Sequence, residues 1–186
     1  MRGQMQTAPA NQYNQLTEFL SNDYTVVRNN LTDGVVPSEA DMMILLEPKN
    51  FNEKQVFAVD QFLMKGGTVF LATSPFVATL SANNLSAARQ SSGLEDWLDH
   101  QGISSQAVLL MDPQNSAFPV PVTRNVGGFS FQDLVLLDYP FFADLRGAGL
   151  NDSSSITRGI PQLTLSWSSP LEVEERETRQ TTTLLS

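Results

Sequence analysis

The stretch Asp41-Met42-Met43-Ile44-Leu45-Leu46-Glu47-Pro48, carried on through Asn52 to Gly66-Gly67-Thr68-Val69-Phe70-Leu71-Ala72, decides how this chain is read. Met42 to Leu46 is an unbroken apolar run, the pattern of a strand buried on both faces of a parallel sheet. Asn52 stands where a helix needs an N-cap, and Gln55 follows at capping-box spacing. Val56, Val59, Phe62 and Leu63 make one apolar stripe. Gly66-Gly67 supplies the left-handed stop, and Thr68 to Ala72 reads as the next buried strand. Strand, helix, glycine stop and strand within about 30 residues spell a right-handed βαβ crossover.

Towards the N-terminus, the first dozen residues are polar, carry Gly3 and Pro9, and read as a loop. Tyr13, Leu16, Phe19 and Leu20 fall at helical spacing, and Asn22-Asp23 ends that helix. Tyr24 to Arg28 reads as a strand, and Asn29 to Ala40 as a connection. Towards the C-terminus, Ala78 to Ser92 is rich in Ser, Asn and Ala and reads as a loop or short surface helix. Leu94, Trp97 and Leu98 give a helix ended by Gly102, and Ala107 to Met111 gives a strand that stops at Asp112-Pro113. This alternation predicts an α/β fold, a three-layer sandwich around a mostly parallel sheet.

After Asp112 the pattern changes. Pro113, Pro119, Pro121, Gly127, Gly128 and Pro140 interrupt the chain, and Phe118, Phe129, Phe131, Tyr139, Phe141 and Phe142 gather there. Short strands and packed loops are expected rather than long helices. Leu163 to Trp167 alternates like a strand with one buried face. Glu172 to Arg179 is a charge-rich run, and Thr181 to Leu185 reads as the start of another strand. The expectation is one domain over residues 1–186, regular α/β over 1–112 and an irregular Pro/Gly-rich part over 113–186.

Composition narrows the function classes. The chain of 186 residues is 41% hydrophobic and 17% charged, as a folded domain is. Eleven Lys and Arg against 20 Asp and Glu give a net charge of −9, opposite to what a nucleic-acid binder needs to displace phosphate counterions. The same charge disfavours docking on anionic lipid. Cysteine is absent and histidine occurs once, which excludes thiolate chemistry, Cys-ligated metals and multi-histidine metal sites within this chain. No apolar run approaches the ~20 residues of a membrane span, and the N-terminus has no signal-peptide stretch. The sequence therefore reads as a soluble piece, with ends that look cut from a larger protein.

The search for chemistry finds turns more readily than catalysts. No G-x-S-x-G elbow is present, and the nearest hydroxyl, Ser74, is followed by Pro75, which lacks the N–H an oxyanion hole takes from that position. His100 falls in the last turn of a helix, where a cation suits the dipole. Glu47, Asp112 and Asp138 each follow an apolar run, and ligands of open α/β sheets bind beyond the carboxyl ends of strands. Such carboxylates are candidates for a metal, sugar or substrate contact, or simply cap the turn; Pro48 and Pro113 favour the turn. Gly66-Gly67 precedes a strand and is no phosphate loop, and neither Walker A nor G-x-G-x-x-G occurs. Trp167 and the aromatics of 118–142 could form a saccharide-stacking platform or core plugs. No metal or cofactor is implied. The surface expected to meet a ligand or partner is the strand-end edge of Glu47, Pro48, Ser74, Pro75, Phe76, Asp112 and Pro113.

The order of these segments resembles the auxiliary component of gliding-motility-type ABC transporters, membrane-anchored proteins with a large extracytoplasmic part. Leu20, Tyr24 and Val26 match the family's "L…Y.V", and Asp41 to Pro48 its acidic residue, buried strand and Pro-containing turn. Ala58 to Gly67, AVDQFLMKGG, matches "aIDQfvlrGG", the most specific part. Thr68 to Pro75, Leu94 to Gly102, Val108 to Asp112, Tyr139-Pro140 and Ile156 to Leu171 follow in the family's order. Ser74 departs from it, since the family often has Asp before that Pro.

The resemblance implies a flavodoxin-like or glutamine-amidotransferase-like α/β fold without catalytic residues. It implies a fragment that lacks the family's first strand and membrane helices. The expected function is a non-catalytic, extracytoplasmic or periplasmic interaction domain of an inner-membrane protein. Its partners would be the ABC permease and ATPase subunits or a cell-envelope component, with membrane attachment only through segments outside this chain. Two alternatives stand beside it: a small-molecule or glycan-binding module at the strand-end edge, and a divergent hydrolase using Ser74 with His100, or a carboxylate pair.

Overall fold

The computed structural model describes residues 13–80, 85–177 and 179–186. Its centre is the crossover that the decisive stretch spells. Strand β1 (Met42–Leu46) leads into helix α2 (Glu53–Met64), which returns to strand β2 (Thr68–Ala72), parallel to β1 with Ile44 opposite Phe70. It is preceded by helix α1 (Asn14–Leu20). The capping box at the start of α2 is complete: the Asn52 side chain accepts from the N–H groups of Lys54 and Gln55, and the Gln55 side chain accepts from the Asn52 N–H. At the other end Gly66, at φ +89°, and Gly67 close a Schellman turn, with N–H bonds to the carbonyls of Leu63 and Phe62.

The core lies on one side of the β1–β2 pair. Met43 and Leu45 meet Ala58, Val59 and Phe62 of α2, with Leu31 and Leu94 closing the ends. Val59 and Leu94 are wholly buried, which stabilises the fold by about 2 kcal/mol for each side chain. Leu31 reaches this core from the connection before β1 at φ +56°, held by the Asn29 side chain, which accepts its N–H at 2.7 Å.

The remaining strands pair antiparallel. β3 (Phe76–Leu80) pairs with β4 (Leu85–Arg89). Helix α3 (Glu95–His100) ends near Gly102 and leads into β5 (Ile103–Ser105). β6 (Phe118–Val126) and β7 (Phe129–Leu137) form a long hairpin. β8 (Phe142–Arg146) pairs with β9 (Gln162–Ser166), and β10 (Leu171–Val173) returns to β5. Arg176 and Arg179 then tie the C-terminal segment to the carbonyls of His100 and Gln101 at the end of α3.

This overturns the mostly parallel three-layer sandwich. Among the described residues one strand pair is parallel and the other four are antiparallel, each in its own two-stranded sheet. The flavodoxin-like or glutamine-amidotransferase-like arrangement falls with it, because the crossover is not repeated. Met42 to Leu46 is buried on one face only: Met42 and Ile44 are 50% and 39% exposed on the other. Leu63 drops out of the helix stripe and faces solvent. Tyr24 to Arg28 is not a strand, since among the described residues no neighbouring strand takes its backbone groups. A hairpin replaces the loop or helix read at Ala78 to Ser92, and residues 81–84 of that segment lie outside the described ones, as does the loop read over the first dozen. Ala107 to Met111 is not a strand: Leu110 donates to the Ser168 carbonyl, and regular pairing is confined to Ile103–Ser105. At Thr181 to Leu185 the strand signal is reduced to a single bridge, Leu185 with Leu150.

Candidate functional site

The carboxyl ends of β1 and β2 form a laced rim. Glu47 donates its N–H to the Ala72 carbonyl at 2.8 Å and turns the chain at φ +46°, which sends Pro48 inward and leaves the carboxylate exposed. Beside it, burial first and then the Glu47 charge and hydrogen bond raise the Tyr13 hydroxyl above its ordinary pKa. After β2, the Ser74 hydroxyl accepts the Phe76 N–H at 3.2 Å, and the Ser74 carbonyl accepts from the Gln90 side chain at 3.2 Å. The Gln90 N–H goes to the Pro75 carbonyl. The Ser74-Pro75 turn is thereby clamped to the end of β4.

The neighbouring loop adds a second clamp. Asn50 and Phe51 donate to the carbonyls of Ser91 and Ser92, and a Cβ on Gly93 would lie 2.4 Å from the Phe51 backbone. Glu95 folds back on this loop and accepts from the Ser92 and Gly93 N–H groups at 2.6 and 2.9 Å. Burial opposes its charge, but hydrogen bonds from backbone N–H groups and the Ser91 and Ser92 hydroxyls win and hold its carboxyl below the usual range.

Chemically, the rim offers one solvated carboxylate, Glu47, and one hydroxyl already engaged by a backbone donor. Among the described residues no hydrogen bond joins His100 to Ser74; His100 is an exposed residue whose carbonyl takes the Arg176 guanidinium at 3.0 Å. Asp112 belongs to a different set of contacts. Its Oδ1 accepts the Gln114 N–H at 2.8 Å and its Oδ2 the Asp144 N–H at 3.1 Å, so it shapes its own turn and pins β8. Glu47, Pro48, Ser74, Pro75 and Phe76 are thus gathered at the crossover, while Asp112 makes its bonds in the second half of the chain. Among the described residues no cluster of His, Asp and Glu is arranged to hold a metal ion.

The aromatics divide into two groups. Phe118, Tyr139, Phe142 and Trp167 pack edge to face, with centroid separations of 4.9 to 6.3 Å, and Trp167 Nε1 donates to the Tyr139 hydroxyl at 3.1 Å. These four rings pack on one another and stay half-buried. Phe129 and Phe131 stand apart on the hairpin, 71% and 56% exposed. A further feature escaped the sequence reading, the bare face of the crossover: Met42, Ile44 and, at 51% exposure, Phe70. An open cavity of about 540 Å³ lies at the other end of the strands, between Val36, Asp41, Phe57 and Lys65.

Residues 2–186 match the family of the ABC-type uncharacterized transport system. The chain belongs to that family. No curated protein and no solved structure matches it. Membership bears out the resemblance carried by AVDQFLMKGG and its flanking segments, and it ties the chain to an ABC transport system and so to a membrane-linked assembly. Among the described residues no helix is long and apolar enough to cross a membrane.

Proposed function

We propose that this member of the ABC transport family is a non-catalytic interaction domain that works outside the cytoplasm. It joins the assembly of permease and ATPase subunits by docking on the extracytoplasmic side of the permease, or it docks on a cell-envelope component, and a separate subunit hydrolyses ATP. The observation that carries this reading is the bare apolar face of the β1–β2 pair. Met42, Ile44 and Phe70 hold water-exposed area on the same two strands whose opposite face forms the core. Apolar side chains left in water side by side on an ordered sheet support a binding face there. The strand-end rim of Glu47, Pro48, Ser74, Pro75 and Phe76 lies at the end of the same strands, while Asp112 and Pro113 make a separate turn in the second half. The fastening of these turns supports a rigid docking edge rather than a catalytic one, since the Ser74 hydroxyl accepts a backbone N–H and its neighbour Pro75 has none to give.

A photo-crosslinking side chain at Phe70 or Ser74 of the full-length protein in native membranes tests this. Covalent adducts with a permease subunit are expected from these positions and not from Lys54 on the solvent side of α2. Adducts confined to envelope glycan would move the partner to that component. Crosslinks from Lys54 as strong as those from Phe70 would remove the basis of the proposal.

A further inference from the structure

The β6–β7 hairpin has one closed edge and one open edge, and the asymmetry follows from its turn. Gly127 and Gly128 sit at φ +60° and +85°, both positive, as a two-residue type I′ turn requires. Val126 opposite Phe129 is then the closing hydrogen-bonded pair, and bonded and non-bonded pairs alternate from there. Residues 119, 121, 123 and 125 of β6 and 130, 132, 134 and 136 of β7 consequently turn their backbone groups outward. The Leu134 N–H fits this placement: it is held by the adjoining Asp133 side chain at 3.0 Å rather than by β6.

Pro119 and Pro121 fall on two of the outward positions of β6. They have no N–H, so this edge cannot template another strand there. β7 has no such guard. Its nine residues carry no proline, glycine or lysine, and Phe129, Phe131, Leu134, Leu136 and Leu137 are 71%, 56%, 66%, 67% and 46% exposed. That is an unprotected edge about 30 Å long, the kind that natural sheets usually cover or charge.

Charge selects the occupant. The chain carries a net −9, yet residues 118–137 hold one Arg and one Asp, and these two, Arg124 and Asp133, pair across the hairpin at 3.4 Å. Two copies can therefore bring these arms together without adding net like charge to the contact. We infer that β7 pairs antiparallel with β7 of a second copy of this chain, giving a four-stranded sheet in the order β6, β7, β7, β6. Both outer edges are then the proline-guarded β6, so assembly closes at two through a self-complementary interface. A foreign strand would leave its own far edge open. Centring the pair on Asp133 would set two carboxylates opposite each other, and the greatest overlap of two nine-residue strands keeps the axis next to their middle, so we place the two-fold axis at Gln132 or Leu134. The contact is small beside a standard interface of about 800 Å² per partner, so a weak, reversible pairing with a dissociation constant of about micromolar or above is expected. This inference is independent of the transport reading.

Sedimentation of the chain up to about 0.5 mM, well above a micromolar constant, tests it. A reversible monomer–dimer equilibrium is expected. Leu134→Pro removes an outward N–H that β6 does not use and that Asp133 would release to a second strand, and it should weaken dimerisation at least about tenfold. Thr123→Pro, on the guarded edge, should leave it unchanged. Because the chain has no cysteine, Gln132→Cys and Leu134→Cys each report alone, and one of them should form a disulfide-linked dimer under mild oxidation even if Leu134→Pro fails to fold. A monomer throughout the range overturns the inference. So does a dimer that survives Leu134→Pro, or one that neither cysteine traps.

Discussion

A methyl group on Gly67 would lie 2.4 Å from Cε1 of Phe62, a buried ring of the core. Gly67→Ala should therefore lower the melting temperature more than Gly66→Ala. The second variant meets open space and bears only the left-handed backbone cost of roughly 1 kcal/mol. Asn52→Ala removes the acceptor for two N–H groups and should cost about 1 kcal/mol in a denaturant titration, with Asn52→Asp recovering most of it. These residues were legible in the sequence because a cap and a glycine stop are decided within one helical turn. Ser74 was legible for the same reason: a hydroxyl before proline at a strand end makes a turn, and its oxygen accepts the Phe76 N–H. The tilt of Glu47 into positive φ was not legible, since it depends on the bond between its N–H and Ala72, a partner on another strand.

Helices, whose bonds close within one turn, were read well, and strands, which need a partner, were read less well. α2 and α3 were found from spacing, whereas Tyr24 to Arg28 has strand-forming residues but no neighbour to pair with among the described residues. The β6–β7 hairpin was missed although Val126-Gly127-Gly128-Phe129 signals a two-residue turn; the flanking prolines masked it, and only their outward positions allow them in a strand. Gly128→Val would force a β-branched residue to φ +85°, costing about 1–3 kcal/mol. Amide exchange should then quicken in β6 and β7 while α2 stays protected. The loop before α3 has its own pH signature. Glu95 is held ionised in the folded chain, so its stabilisation is present above the ordinary carboxylate range and is lost as pH falls through its lowered folded value. Glu95→Gln should flatten the acid limb of a melting-temperature profile and lower the plateau at neutral pH.

For the whole molecule, one βαβ crossover was legible and its repetition was not, because an apolar run such as Met42 to Leu46 gives the burial of one face and leaves the other undetermined. The strands beyond it pair in small antiparallel sheets, and apolar area that a three-layer sandwich would cover stays in water at Met42, Ile44 and Phe70. That bare face links the fold to the proposed docking role. The direct test is purification of the full-length protein from native membranes in mild detergent, beside an Ile44→Glu, Phe70→Glu variant, with quantification of what accompanies each. Near-stoichiometric permease and ATPase subunits with the natural sequence, falling at least about tenfold with the variant, is the predicted result. Recovery of the protein without them, or equal recovery of both subunits with the variant, would contradict it.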